Sequence, residues 1–305
     1  MDMDITQKLN KQLQAFIDEQ QKQRHTPDIN ELNRYLSNLI NTQNRTPQSY
    51  FHGFSSEQMF LMSNHPFEEN CPIQLRELSD EQIKEIPFMS QVLFLMHALA
   101  EKEMKLTAQG YIPPKMVTEL YDMGLKDWES NYYKQKSEMK VEVVQVLRVV
   151  LKECGLVKVR SGKMSLTAKG IKLMNDGKAL LYTVMRFMFF DYNTGWLDSY
   201  SNMEAGNVGR LYSLWLLHHY GDDWRNCNFY SDMYFKAFPR IEPCTGYAYR
   251  IFNRLFHHIG LCEINDNKCD EGLEWGKCSR KRKILDTIFS FVEPENNLMK
   301  GKIPT

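Results

Sequence analysis

No stretch of this chain is apolar for long enough to cross a bilayer, which takes about 20 predominantly apolar residues. The strongest run, ALLYTVMRFMFF at 179–190, is shorter than that and carries Arg186, so a membrane is excluded as a partner. Net charge is missing too: 38 basic residues balance 38 acidic ones, which argues against a general polyanion binder but leaves room for a local pattern. The seven cysteines, at 71, 154, 227, 244, 262, 269 and 278, are odd in number and scattered, as expected of reduced thiols. The N-terminus, MDMDITQKLNKQ, is acidic and polar where a secretory signal would be basic and then apolar, so the expected location is the cytoplasm.

Catalytic signatures are lacking as well. G-x-G-x-x-G, H-E-x-x-H and G-x-S-x-G do not occur, and SGKMS at 161–165 lacks the upstream glycine of a phosphate-binding loop. The adjacent pairs His218-His219 and His257-His258 would diverge by about 100° on a helix and cannot share one ligand face. Cys262, Cys269 and Cys278, with His257 or His258, could be weighed as zinc ligands, but they lack the close cysteine pairs of a zinc knuckle, and free cysteines explain them better. Asp191, Tyr192, Trp196, Asp198 and Tyr200 could line a pocket, though aromatics buried between domains are the commoner explanation. The expectation is a non-enzymatic protein with no metal and no cofactor.

What is present is helical periodicity broken by turn residues. Ile5, Leu9, Leu13, Phe16 and Ile17 share one helical face, and a second helix after Thr26-Pro27 aligns Ile29, Leu32, Leu36, Leu39 and Ile40. A loop at 41–54 and short helices at 55–63 and 79–86, the latter opening on a Ser79…Gln82 capping box, complete an N-terminal helical region over 1–87. That region holds 8 basic and 13 acidic residues, whereas 88–178 holds 15 and 10. The basic segment reads as helix (88–102), short strand (104–107), helix (113–124), helix (137–155), hairpin (156–160 and 163–167) and helix (168–175). The segment at 137–155 contains six valines, but its length and the polar stripe Glu138, Glu142, Gln145, Arg148, Lys152 favour a helix over a strand.

An aromatic connector follows at 179–204, and then the same order recurs within 205–305. Helices at 205–221, 229–238 and 246–260 precede a loose hairpin formed by LCEIN and GKCSRKRKIL. The local match is VLRVVLKECGLVKV (146–159) against IFNRLFHHIGLCEI (251–264): an amphipathic helix, Gly-Leu, then a strand. The expected fold is mainly α with small β-hairpins, an N-terminal helical region plus two winged-helix-like domains. By element order, 88–175 resembles the winged helix-turn-helix superfamily. HPFEEN, LTAQGYIPPKMVTELY, SLTAKG and FYSDMYFKAFP together resemble an uncharacterised family of bacterial proteins often found near mobile elements, a similarity running from about residue 50. That resemblance implies no activity and no catalytic residues.

Winged-helix domains that read DNA lay the third helix in the major groove and set wing residues on phosphates. The third helix of the second domain offers Arg250, Asn253, Arg254 and His257 at i, i+3, i+4 and i+7, and its wing offers Arg280, Lys281, Arg282 and Lys283. In the first domain the third helix begins with Glu138 and Glu142, unfavourable beside phosphates, and its wing carries Lys158, Arg160 and Lys163. DNA contact is therefore expected at the second domain, with Lys158, Arg160 and Lys163 of the first wing as further candidates for phosphate contact; cations on a two-stranded edge serve equally to prevent edge-to-edge association, in which case the first hairpin closes a structural domain. A solvated helix face and a charged turn are the rival explanation of these residues. The rival function is a protein-interaction scaffold, with the N-terminal helices recruiting a protein partner or making a homodimer.

Overall fold

The structure is a computed structural model that describes residues 5–125, 137–199, 204–265 and 278–294. It is mainly helical, with small antiparallel sheets of two or three strands. No described helix is long and apolar enough to cross a membrane. Contacts divide the chain into two compact units, Met1–Phe60 with Glu293–Thr305, and Leu61–Val292. The segments distinguished in the sequence at 88–178 and 179–204 fall in the second unit, as does the segment at 205–305 as far as Val292.

The first unit is built on a helical hairpin, α1 (Ile5–Lys22) and α2 (Ile29–Arg45). The cap of α2 is Asp28 rather than Thr26: its carboxylate accepts from the Asn30 and Glu31 N–H groups while Glu31 accepts from the Asp28 N–H, a reciprocal capping box. Phe16 stacks on Tyr35 at 4.0 Å between centroids, pinning the two helices together. A further helix, α3, spans Ser56–Asn64.

In the second unit two successive passes of helices each lead into a small antiparallel hairpin. The first pass runs β1 (Ile73–Leu75), α4 (Asp80–Glu85), α5 (Pro87–Glu101), β2 (Met104–Lys105), α6 (Pro114–Met123), α7 (Glu142–Glu153), β3 (Val157–Arg160), β4 (Lys163–Leu166) and α8 (Ala168–Met174). The valine-rich segment is helical as its period indicated. Val143, Val144, Val146, Leu147, Val150 and Leu151 of α7 are buried, so packing of one helical face outweighs the β preference of valine. The hairpin turns on Ser161 and Gly162, both at positive φ, as a two-residue turn between right-twisted strands requires. β4 lies between β2 and β3 in a three-stranded sheet.

The second pass runs α10 (Arg210–Tyr220), α11 (Cys227–Ala237), a third helix made of α12 (Gly246–Ala248), a π-helical segment (Tyr249–Phe256) and α13 (His257–Ile259), then β5 (Cys262–Asn265), β6 (Cys278–Lys281) and α14 (Ile284–Ile288). Between the first two helices Arg225 exchanges backbone hydrogen bonds of 3.0 and 2.9 Å with Ser279 of β6, as β2 pairs with β4 in the first pass. Both third helices end alike. Gly155 and Gly260 adopt positive φ, and the following Leu156 and Leu261 donate back to Leu151 and Phe256, each at 2.8 Å. The Gly-Leu match in the sequence is thus a shared helix-termination device.

The connector is α9 (Gly177–Arg186), which continues as a π-helical turn over Phe187–Asp191 and ends in a short 3-10 turn at Trp196–Asp198. Phe189 packs against Phe67, Phe256 and Phe289, giving this unit a common aromatic core. β7 (Phe289–Phe291) closes the unit by pairing with β1.

Candidate nucleic-acid interface

The reading face expected on the second repeat is inside the molecule. Arg250, Asn253 and His257 are only 8%, 5% and 5% exposed. Arg250 donates to Asp198 at 2.6 Å; Arg254 donates to the other Asp198 oxygen at 2.6 Å and to Glu142 Oε1 at 2.8 Å. The Arg254 guanidinium also lies over the Tyr249 ring, 4.6 Å from its centroid. His257 Nδ1 lies 3.2 Å from the Cys262 carbonyl. A stripe with the spacing of a solvated face is therefore an ion-pair network that ties the second repeat's third helix to α7, the third helix of the first. While that network holds, neither third helix presents this face to a DNA groove. Burial works against ionisation of Asp198, but the bonds and charges of Arg254 and Arg250 outweigh it and hold its carboxyl below the usual range.

Most of the second basic cluster is also engaged. Arg280 pairs with Glu263 at 3.0 Å and lies over the Trp224 ring. Lys281 pairs with Asp222 and Asp286 at 3.1 and 3.5 Å and donates to the His218 carbonyl, and Arg282 donates to the Gly260 carbonyl at 2.7 Å. Lys283 is exposed. The chain between β5 and β6, with Cys269, lies outside the described residues. Cys262 is buried, its thiol donating to the Phe252 carbonyl at 3.1 Å, and Cys278 is disulfide-bonded, which corrects the expectation of thiols reduced throughout.

The first hairpin is different. Lys158, Arg160 and Lys163 are all exposed, and the register sets Lys105, Lys163 and Arg160 directly opposite one another across β2, β4 and β3. Directly paired residues point to the same face, and Lys158, two residues from Arg160, joins them there. The other face carries Val157, Met164 and Leu166, all buried. Glu103 pairs with Lys163 at 3.4 Å, both side chains being more than half exposed; among the described residues no carboxylate pairs with Lys105, Lys158 or Arg160. The sheet thus shows solvent four cations, three of them in one row about 10 Å long. Lys105 is not singled out by its sequence surroundings: the MKLT strand is legible, but its partner lies far along the chain.

Like charges set directly opposite cost stability. Lys105→Glu converts a repulsive cross-strand pair with Lys163 into an attractive one and is expected to stabilise the protein by roughly 0.5 kcal/mol, measured by urea denaturation.

The aromatic segment does border a cleft, of about 750 Å³, lined by Asp191, Tyr192 and Trp196 together with Met139, Arg148 and Val159. Tyr192 is buried, which raises its phenol, and Asp198 is turned away to its arginines. Tyr200 lies outside the described residues. Buried Arg210, with no sequence signature, holds this region together by donating to the carbonyls of Gly206, Met188 and Tyr192 and to Asn207. Burial lowers its pKa to about 10, still charged at neutral pH. No family model, curated protein or solved structure matches the chain.

Proposed function

We propose that the protein binds DNA through its phosphate backbone, using the outer face of the β2-β4-β3 sheet, on a scaffold of two winged-helix-like repeats. The observation that carries this reading is the row Lys105, Lys163, Arg160, flanked by Lys158, on a face with one carboxylate partner among the described residues. A row of like charges is a stability cost that a phosphate backbone offsets, since each phosphate contact releases counterions on binding. Two runs of three helices and a hairpin, with β2 in the first and the single bridged residue Arg225 in the second joined to the hairpin, support the winged-helix-like description. The contact is made by a wing and its sheet, so it is insensitive to base sequence.

Fluorescence anisotropy with mixed-sequence duplex DNA over a salt series tests this. The wild-type protein is expected to bind at low salt, with log K falling linearly against log salt. Charge reversal at Lys105, Arg160 and Lys163 is expected to reduce that slope by about 3 and the affinity at low salt by 100-fold or more. The reading is wrong if the wild-type protein shows no binding at low salt or if the triple variant binds equally well. The protein-interaction reading is favoured by one observation, the ion-paired covering of both third helices, and it predicts that same null result with DNA.

A further inference from the structure

We propose that the α1–α2 hairpin pairs with the same hairpin of a second copy of this chain, in an antiparallel two-fold arrangement. Among the described residues of α2 none is buried, although Ile29, Leu32, Leu36 and Leu39 recur at the 3-4 spacing of a helix-packing seam. Leu9, Leu13 and Phe16 repeat that spacing on α1, and they too are only half-buried. Two helices alone cover each other on one side; the remaining side of both stripes needs a further layer, which a second hairpin supplies as a four-helix bundle.

The two ends of the hairpin complement each other. At the closed end Ile29 stands 68% exposed. At the open end a groove of about 690 Å³ is lined by Leu9, Leu39, Ile40 and Tyr50, and Ile40 is itself 44% exposed. Eleven residues of α2 separate Ile29 from Ile40, about 16 Å along the axis. A two-fold axis midway between them seats each Ile29 on the other copy's groove, so the same contact forms twice, as an isologous interface demands. Lys11, Asp18, Glu19 and Arg34 fall between the positions of the seam, and Lys8 lies at the groove beside Leu9. Helices of this length, side by side, offer a face of roughly 26 by 20 Å, which is about 500 Å² per copy and on the order of 1,000 Å² for the pair. That meets the roughly 1,000 Å² a specific interface needs and places the dimer among the weaker, concentration-dependent ones.

Light scattering coupled to size exclusion, on the full chain over a hundredfold concentration range, tests the proposal. The expected mass is twice the 36.0 kDa of one chain. Ile29→Glu with Ile40→Glu places carboxylates in the seam and is expected to weaken association on the order of 100-fold, giving monomer with an unchanged far-UV circular dichroism spectrum. As an independent readout, chains carrying Ile29→Cys and Ile40→Cys, mixed and treated with a short bismaleimide, are expected to cross-link to each other more than Ile29→Cys chains do among themselves. A mass of 36.0 kDa at every concentration overturns the proposal, whatever other protein the hairpin then binds. So does a dimer that survives the double glutamate substitution, or cross-linking with the reverse preference.

Discussion

Alanine in place of Asp198 is expected to lower stability by roughly 2–3 kcal/mol, measured by urea or thermal denaturation. Asp198 accepts hydrogen bonds from Arg250 and Arg254, whose side chains are 9% and 12% exposed. Removing it leaves two largely desolvated guanidinium groups without the carboxylate they share, with Arg254 still paired to Glu142. Breaking a fully buried pair costs about 3–5 kcal/mol; a quarter of the Asp198 side chain is exposed, so solvent recovers part of that. Asp198→Asn, which keeps the shape and one acceptor, is expected to fall between. The pH dependence follows from the sign of the shift. Because the folded carboxyl is held below its ordinary value, its contribution is complete above the unfolded pKa of about 4 and is lost as pH falls through the folded one. The gap between wild type and Asp198→Ala therefore closes progressively below about pH 4. Parallel stability profiles across that window would show that the network contributes no charge-dependent stability.

Alanine at Gly260 is expected to cost about 3 kcal/mol or more, whereas alanine at Gly155, the equivalent position of the first repeat, is expected to cost only about 1 kcal/mol. Both glycines terminate a third helix at positive φ, 100° and 70°, so both substitutions carry the left-handed strain of an L-residue. The difference lies in what surrounds them. A Cβ at Gly260 would stand 2.5 and 2.6 Å from Cδ and Cγ of Pro87, the first residue of α5, whereas the nearest atom at Gly155 is Lys169 Cδ at 3.9 Å. Pro87 is fixed by its ring and by a buried helix start, so the backbone at Gly260 must yield instead. Denaturation of the two variants side by side measures the contrast. Equal losses would mean that only the shared φ matters and that the Pro87 contact is easily relieved.

The reach of local sequence shows in particular elements. The polar stripe from Glu142 to Lys152 separates helix from strand in a valine-rich segment because burial of one face follows a 3.6-residue period. Gly-Leu marks both third-helix ends because only glycine enters the left-handed region cheaply and the next apolar residue folds back on the helix. Ser79 and Gln82 form the capping box that their spacing announces. Each of these depends on residues a few positions apart.

Local sequence therefore determined the helices, their ends, the hairpin turn and the mainly α architecture with its small sheets. Tertiary structure alone decided which charges meet solvent. Arg250 and Arg254 have the spacing of an exposed stripe, yet carboxylates 52 and 112 residues away close over them. Lys105, Lys163 and Arg160 form one row only because β2 and β3 pair with opposite edges of β4. Periodicity states that a helix has a polar face, but what covers that face is set by long-range packing and by charge complementarity between segments that are neighbours only in the folded chain.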